Sequence, residues 1–377
     1  MKIAILGTRG IPANYGGFET FAEEVSVRLV QAGHQVTVYG RKAAYPAKKR
    51  QQFFKGVRTV YLPAIRKREL ETLSHTFLSF WHMVFRNRPH AVVLCNIANG
   101  YIIPLLRLCR TKVLVNVDGM EWQRRKWSRL GRAFYRMCVN LTVLFARHDL
   151  VADSRAIAGF YKDKFRCDPL YISYGAPVIS AADFPQAECV LQPLGVEPKG
   201  YILQVTRMVP ENNTLCLVEA FRKSKTEKKL LLVGGDAYDT EYIRAIRNAA
   251  AADDRIRLPG PIYDKRVVNT LLANAFAYFH GNEVGGTNPA LLQALGAGAV
   301  VLAVDTIYNR EVVTDLGFYF SANAAAVAEQ LERILDLDKP ARKQLGERAR
   351  QRIARDYNWD DVARSYAQAI QQRVERL

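Results

Sequence analysis

No two cysteines in this chain form a C-x-x-C pair: Cys95, Cys109, Cys138, Cys167, Cys189 and Cys216 are scattered. Their spacing excludes a zinc ribbon or dithiol redox centre and implies reduced thiols in a cytoplasmic protein, not a disulfide scaffold. The six histidines form no ligand-spaced cluster either, so no metal is expected. No segment approaches the run of roughly 18 apolar residues that a membrane-spanning helix needs. The opening "MKIAILGTRG" enters a strand at once without a small-residue cleavage site, and no signal peptide is expected.

Acidic residues are scarce in one half only. Residues 1–178 hold 29 lysines and arginines against 11 aspartates and glutamates, whereas residues 179–377 hold 25 of each. The whole net charge of +18 therefore sits in the N-terminal half. Such asymmetry suits an anionic partner: nucleic acid, a phosphate-bearing substrate or an acidic membrane surface. A merely soluble basic face is the plainer reading of the same charge.

At 377 residues the chain has room for about two ordinary domains. The strand "KIAILG", the loop "TRGIPANYGG", a helix over 18–31 and the strand "QVTVYG" form a β-loop-α-β unit. Further short buried strands are predicted at 91–96, 112–119, 150–154 and 169–175. A proline-containing stretch without periodicity then follows, and residues 179–199 are predicted to be a linker. The scheme restarts with strands at 201–207, 228–236, 256–262, 275–281 and 299–305, and helices over 213–223 and 239–251. The prediction is two doubly wound α/β domains facing a cleft, 1–178 and 200–357. Residues 358–377 follow as an amphipathic helix that places Trp359, Val362, Tyr366, Ile370 and Val374 at helical spacing and needs a surface to cover.

Ligands of doubly wound domains bind beyond the carboxyl ends of the strands. There the stretch "EVGGTNPALLQ" combines Gly285 and Gly286, Thr287, an expected N-cap at Asn288 and Pro289 in the first helical turn. Such a helix start attracts an anion through backbone N–H groups and the helix dipole, without a basic side chain. Arg207, at the end of "YILQVTR", supplies a guanidinium suited to bidentate grip on a diphosphate. An ordinary capped helix and a surface arginine would read the same way singly; their combination points to an anionic ligand. The first loop carries Gly7, Gly10, Gly16 and Gly17, but not G-x-G-x-x-G, and the second strand ends in Gly40-Arg41-Lys42 without a carboxylate. An NAD(P)-dependent oxidoreductase is therefore weakly supported, and a loop that meets a sugar or phosphate fits better.

The segments "GTRGIPANYGGFETFAEE", "DGMEWQRRKWS", "RMVPENN" and "VGGTNPALLQALGAG" resemble the retaining GT-B glycosyltransferases, specifically glycosyltransferase family 4 and its bacterial rhamnosyltransferase-like branch. That resemblance implies a transferase that builds cell-surface polysaccharide on a lipid diphosphate carrier at the cytoplasmic membrane face. The donor implied is a nucleotide sugar, dTDP-rhamnose first, and no cofactor. The terminal helix would cross back onto the N-terminal domain. Donor-binding positions carried over are Arg207, Asn212, Gly285, Gly286, Thr287, Asn288 and Gln293, with Gly16 and Gly17 from the first loop. The family's Glu-x7-Glu motif is absent: Gly285 and Gln293 stand in its places, Glu283 offers a nearby carboxylate, and Asn212 replaces a customary lysine.

Asp118, Asp153 and Tyr174 end successive strands and, with Glu283, are the catalytic candidates, although capping is an equal reading for Asp153-Ser154. Glu121, Trp122, Arg124, Arg125 and Lys126 interleave charge with aromatics and are the acceptor-binding candidates. The apolar run of Phe77, Phe80, Trp81 and Phe85, preceded by Arg66–Arg68, reads as an interior helix or as a second contact with lipid. A non-catalytic GT-B protein binding sugar or nucleic acid is the alternative from another class, but no nucleic-acid module is recognisable.

Overall fold

A computed structural model describes residues 1–13, 16–65, 67, 70–120, 128–235 and 239–375, and divides into two units. Unit 1 comprises Met1–Tyr174, Val284–Gly286 and Trp359–Leu377; unit 2 comprises Gly175–Glu283 and Thr287–Asn358. Both are doubly wound α/β structures, as the alternation of apolar runs and helical periodicity predicts.

Unit 1 is built on β1 (Lys2–Leu6), β2 (Gln35–Arg41), β3 (Phe53–Phe54), β4 (Val57–Leu62), β5 (Ala91–Cys95), β6 (Lys112–Asn116), β7 (Leu150–Ala152) and β8 (Leu170–Tyr171). Their order is β3-β4-β2-β1-β5-β6-β7-β8, and all pairings are parallel except β3–β4. β5 is buried from end to end, which is why it reads as a continuous apolar run and not as an alternation. The hairpin β3–β4 escaped the sequence reading. Its two-residue turn puts Lys55 and Gly56 at φ 46° and 82°, and lysine is an unusual residue for the first of these positions.

The helices of unit 1 are α1 (Gly17–Gln31), α2 (Glu71–His82), α3 (Ile103–Leu108), α4 (Arg129–Ala146) and α5 (Arg155–Phe165). Right-handed crossovers place α1 on one face of the sheet and α2 to α5 on the other, because the chain runs outward from β1 to β2 and then back across.

Unit 2 carries β9 (Tyr201–Arg207), β10 (Lys229–Gly235), β11 (Ile256–Gly260), β12 (Ala277–His280), β13 (Val300–Val304) and β14 (Gly317–Phe320) in the parallel order β11-β10-β9-β12-β13-β14. Its helices are α6 (Glu188–Leu191), α7 (Thr214–Lys223), α8 (Glu241–Ala251), α9 (Lys265–Asn274), α10 (Pro289–Gly296), α11 (Ile307–Val313), α12 (Ala324–Leu335) and α13 (Lys339–Asp356). Residues 179–199, expected as a linker, are instead part of this unit. Leu191 of α6 is buried, and the Lys199 ammonium donates to the carbonyls of Ala273 and Ala275 at 2.9 Å each.

The last helix, α14 (Trp359–Glu375), belongs to unit 1 and packs beside α1. Tyr366 sets its ring 4.9 Å from that of Phe21, and its hydroxyl accepts from the Asn116 amide at 3.1 Å. Arg28 of α1 pairs with Asp360 at 2.6 Å, and Arg373 pairs with Asp149 at 2.7 Å. Trp359, Val362, Tyr366 and Ile370 are buried as their spacing predicts, but the last buried position is Arg373. Its aliphatic stem lies inward while the guanidinium reaches Asp149 and the His148 carbonyl.

Two buried histidines make the fold acid-sensitive. Burial holds the His280 imidazole down at about 3, and burial together with the Arg41 charge holds His75 down at about 4. Both stay neutral in the folded chain at pH values where the unfolded chain, with the ordinary 6.5, takes up protons. Their contribution is complete above the unfolded value and is lost as pH falls from there towards the two folded values. The urea midpoint is expected to fall between about pH 7 and about pH 4, and H280F to flatten that slope. An identical slope in the variant would remove His280 from the account.

Candidate functional site

The strand order of unit 2 reverses between β9 and β12: from β9 the chain steps outward to β10 and β11, and β12 returns to the other side of β9. At such a switch point the loops leaving the two strands diverge and open a crevice at their carboxyl ends. β9 ends at the exposed Arg207, and β12 ends at His280, just before the glycine loop. Register pairs Ala277 with Ile202 and Tyr278 with Leu203, so both loops start from adjacent strands at one edge.

Asparagines staple these two loops together. Asn213, in the left-handed region at φ 54°, donates its amide to the Gly281 carbonyl at 2.9 Å and to Glu283 Oε1 at 2.8 Å. The Glu283 N–H in turn donates to the Glu211 carbonyl at 3.0 Å. Gln204 reaches the Asn212 carbonyl at 3.0 Å, and Asn309 holds the Asn282 carbonyl at 3.2 Å. Asn212 itself is buried and donates to Thr206 Oγ1 at 2.8 Å and to the Arg207 carbonyl at 2.7 Å. Both amide hydrogens of Asn212 are thus used to shape the turn behind Arg207.

Gly281 fits because nothing larger does. A Cβ there would stand 2.2 Å from the Asn212 carbonyl oxygen, an atom of fixed backbone. G281A is expected to force the two loops apart and to lower stability by about 1–3 kcal/mol. Urea unfolding checks it, and an unchanged midpoint would show that the loops separate freely.

The glycine loop delivers the chain into α10. Asn288, at φ −90° and ψ 119°, is its N-cap: the side chain accepts from the Ala290 N–H at 2.9 Å, and Pro289 opens the first turn. Leu291, Leu292 and Leu295 bury the opposite face, which fixes the helix axis against the sheet. Gln293 is half-buried on the second turn, and Thr287 is buried before the cap. A helix start of this kind, on the same sheet edge as a guanidinium, accommodates a polyanion.

In unit 1 the candidates after β6 and β7 and near its end are drawn inward. Asp118, at φ 54°, donates its N–H to Asn116 Oδ1 at 3.1 Å, and Asn116 in turn holds Tyr366. Asp153 is fully buried; the cap of α5 is the neighbouring Ser154, which accepts from the Ile157 N–H at 3.3 Å. Within the same unit, a Cβ on Gly286 would fall 2.2 Å from Asp153 Oδ1, and one on Gly119 2.7 Å from the Gly285 Cα. Those close approaches, with Gly285 at φ 142°, account for the small residues. Tyr174 is buried with its ring 5.8 Å from Phe21 and 6.5 Å from Trp359. Burial, then the charges of Asp153 and Asp118, hold its phenol well above the usual range and therefore protonated. Its ring is thus packed among the aromatic side chains of α1 and α14.

The loop after β1 is shaped by carboxylates from α1. Glu19 accepts from the Arg9 N–H at 2.7 Å and Glu23 from the Ala13 N–H at 2.6 Å. Gly16 is the N-cap of α1 at φ 117°, and Gly17 is its first residue. Gly7 and Gly10 serve close packing: added Cβ atoms would meet the Cys95 carbonyl at 2.2 Å and the Gly40 Cα at 2.7 Å. Glu121, Trp122, Arg124, Arg125 and Lys126, like Arg66 and Arg68, lie outside the described residues. Among the described residues no group of three or more His, Cys, Asp or Glu side chains is placed to hold a metal, and no helix is long and apolar enough to cross a membrane.

Residues 16–169 match the family model described as Glycosyl transferase 4-like domain, and residues 192–352 match that of Glycosyl transferases group 1. No curated protein matches the chain significantly. Among solved structures the chain is similar to sucrose-phosphate synthase from Thermosynechococcus elongatus, with TM-score 0.80, 19% identity and 98% of each chain covered. It is also similar to Anabaena Alr3699/HepE, solved with UDP and glucose, with TM-score 0.77, 14% identity and coverage of 99% of this chain and 100% of that one. A third is WaaG, a glycosyltransferase involved in lipopolysaccharide biosynthesis, with TM-score 0.72, 15% identity and coverage of 98% and 99%. At such identities the likeness to these structures is one of fold.

Proposed function

Because this chain is a glycosyltransferase of the GT-B fold, we propose that it transfers a hexose, L-rhamnose first, from a nucleoside diphosphate sugar to a saccharide on a lipid diphosphate. The observation that carries the donor half of this reading is the placing of Arg207 and the Asn288-capped start of α10 on one edge of unit 2, at the switch of strand order. A diphosphate held there meets the guanidinium and the positive end of a helix. The Anabaena neighbour's complexes with UDP and with UDP-glucose support a nucleotide sugar as the class of donor. The rhamnose and dTDP assignments rest on the motif resemblance.

In this reading Glu283, oriented by Asn213, receives a hydroxyl of the donor sugar, and Gln293 receives the nucleoside ribose. Gly285, Gly286 and Thr287 let the diphosphate approach the backbone, with Gly16 and Gly17 contributing from the first loop. Asp118 and Asp153 orient the acceptor, and Tyr174 supports them. Transfer proceeds with retention: the bond from the anomeric carbon to the leaving phosphate oxygen breaks, and the acceptor oxygen attacks from the same face. The leaving diphosphate takes the acceptor's proton, so no protein nucleophile and no cofactor is required. The protein then acts by positioning and by stabilising charge on the leaving group. The basic N-terminal half, Glu121–Lys126 included, faces the anionic lipid carrier at the cytoplasmic side of the membrane.

Transfer from dTDP-rhamnose to a synthetic lipid diphosphate acceptor tests this reading, with the anomeric configuration of the product read by NMR. Retention is expected, and an inverted product would contradict the mechanism.

A further inference from the structure

We propose that α2 and α4 together form a face of unit 1 that docks on an anionic lipid bilayer. The inference deepens the reading of a lipid-borne acceptor by naming the surface that meets the membrane.

Thirteen of the sixteen exposed large apolar side chains among the described residues lie in unit 1, the half that also carries all the excess positive charge. Most of them concentrate on the helical layer of α2 to α4. On α4, Leu130, Met137 and Leu144 recur every seven residues and so form one lengthwise row. Leu130 is 84% and Leu144 71% exposed. Arg129 and Arg136 run in a neighbouring row, also seven apart, while Tyr135, Cys138, Val139 and Thr142 hold the opposite face in the core. The outward side of α4 is therefore split lengthwise into an apolar and a cationic strip. No aspartate or glutamate occurs between Trp122 and His148, where seven lysines and arginines do.

The run that reads as an interior helix is only half interior. Phe80 and Met83 are buried, whereas Phe77, Leu78, Trp81 and Phe85 face outward, Phe85 at 68% exposure. Trp81 stacks on Phe85 with centroids 5.7 Å apart and meets Phe77 edge-on at 6.1 Å, so these rings form one ridge. Exposed Arg86 and Arg88 flank its end. Both helices pack on the same short 3-10 segment, Ile97–Ile102: the Tyr101 hydroxyl donates to the Leu73 carbonyl next to α2's outer ridge, and its ring lies 6.4 Å from that of Phe134 in α4. The two ridges thus belong to one layer on one side of the sheet.

Apolar ridges with arginines beside them match a bilayer interface, in which side chains enter the acyl boundary while guanidinium groups meet phosphates. The absence of acidic residues along α4 selects an anionic surface over a neutral one.

The test is flotation of the purified full chain with vesicles of equal parts phosphatidylglycerol and phosphatidylcholine, against pure phosphatidylcholine. Binding to the anionic vesicles alone, weakened by salt, is expected. The exposed triple variant L130Q/M137Q/L144Q and the pair R129E/R136E should each lower the partition by at least about tenfold. Circular dichroism confirms folding. Wild-type binding that both variants retain in full would overturn the proposal, as would no binding at all. A wild-type dimer that the triple variant converts to monomer, without vesicle binding, would overturn it in favour of self-association. Sugar transfer to a short-chain, water-soluble acceptor by the triple variant should match wild type. Failure of transfer with vesicle binding intact would count against the proposed function and leave this face standing.

Discussion

Arg207→Ala is expected to weaken binding of the nucleoside diphosphate sugar by roughly 10- to 150-fold, because a charge-assisted hydrogen bond to an ionised group is worth about 1.5–3 kcal/mol. The expectation follows from position. Arg207 is the last residue of β9, is exposed, and begins the loop opposite the one that leads into α10. Lysine in its place keeps the charge but loses the planar fork, so R207K should recover only part of the affinity. The backbone around it should not change, since Asn212 grips the Arg207 carbonyl and not its side chain. Calorimetric titration with the nucleotide separates this from misfolding: a folded R207A that binds as tightly as wild type removes Arg207 from the site.

Tyr366→Ala should lower the stability of unit 1 by about 3–5 kcal/mol, as large truncations in a closed core do. Tyr366 is fully buried, sets its ring at a tilt against that of Phe21 of α1 and accepts a hydrogen bond from Asn116. Y366F keeps the ring and removes only the acceptor, which leaves the buried Asn116 amide unmatched and should cost about 1–3 kcal/mol. The order alanine worse than phenylalanine, read from urea midpoints, is the expected result. Equal midpoints for all three proteins would mean that α14 contributes nothing to unit 1. The same tyrosine bears on function, because Asn116 uses its other amide atom to hold the Asp118 N–H. Loosening α14 should therefore disturb the loop after β6 before it disturbs unit 2.

Much of this fold is legible where the signal is local. Buried parallel strands announce themselves as apolar runs, and Asn288-Pro289 announces a helix start from two adjacent residues. The hairpin at Lys55-Gly56 is silent because its turn lacks the usual asparagine or aspartate. The stretch 179–199 looks like a linker because prolines and short turns break its periodicity, although side chains such as Leu191 anchor it. The α2 run is apolar on both faces, and periodicity cannot then say which face is inside.

The candidate site is legible in the sequence at its ends and not between them. Arg207 and the glycine loop stand out by residue type, yet Asn213, which joins the two loops, and Gln204 and Asn309, which brace them one at a time from β9 and α11, are ordinary polar residues many positions apart. The role of Asn213 exists only once β9 and β12 are neighbours. The doublet Asn212-Asn213 after a strand was the available clue, since asparagine is suited to turns and to the left-handed region that Asn213 occupies. Tyr174 stands out by its expected place at a strand end and Asn212 by the family resemblance; the structure buries the one and gives the amide hydrogens of the other to the turn behind Arg207.

The measurement that tests the central claim most directly is transfer from a panel of nucleotide sugars by the purified protein. The donors are dTDP-rhamnose, UDP-glucose, UDP-N-acetylglucosamine and GDP-mannose; the acceptor is a synthetic lipid diphosphate bearing N-acetylglucosamine, and products are read by mass spectrometry. The account predicts a deoxyhexose increment with dTDP-rhamnose and its loss in R207A. Measurable nucleotide binding without product from any donor, on this acceptor and on membrane extract alike, would contradict it.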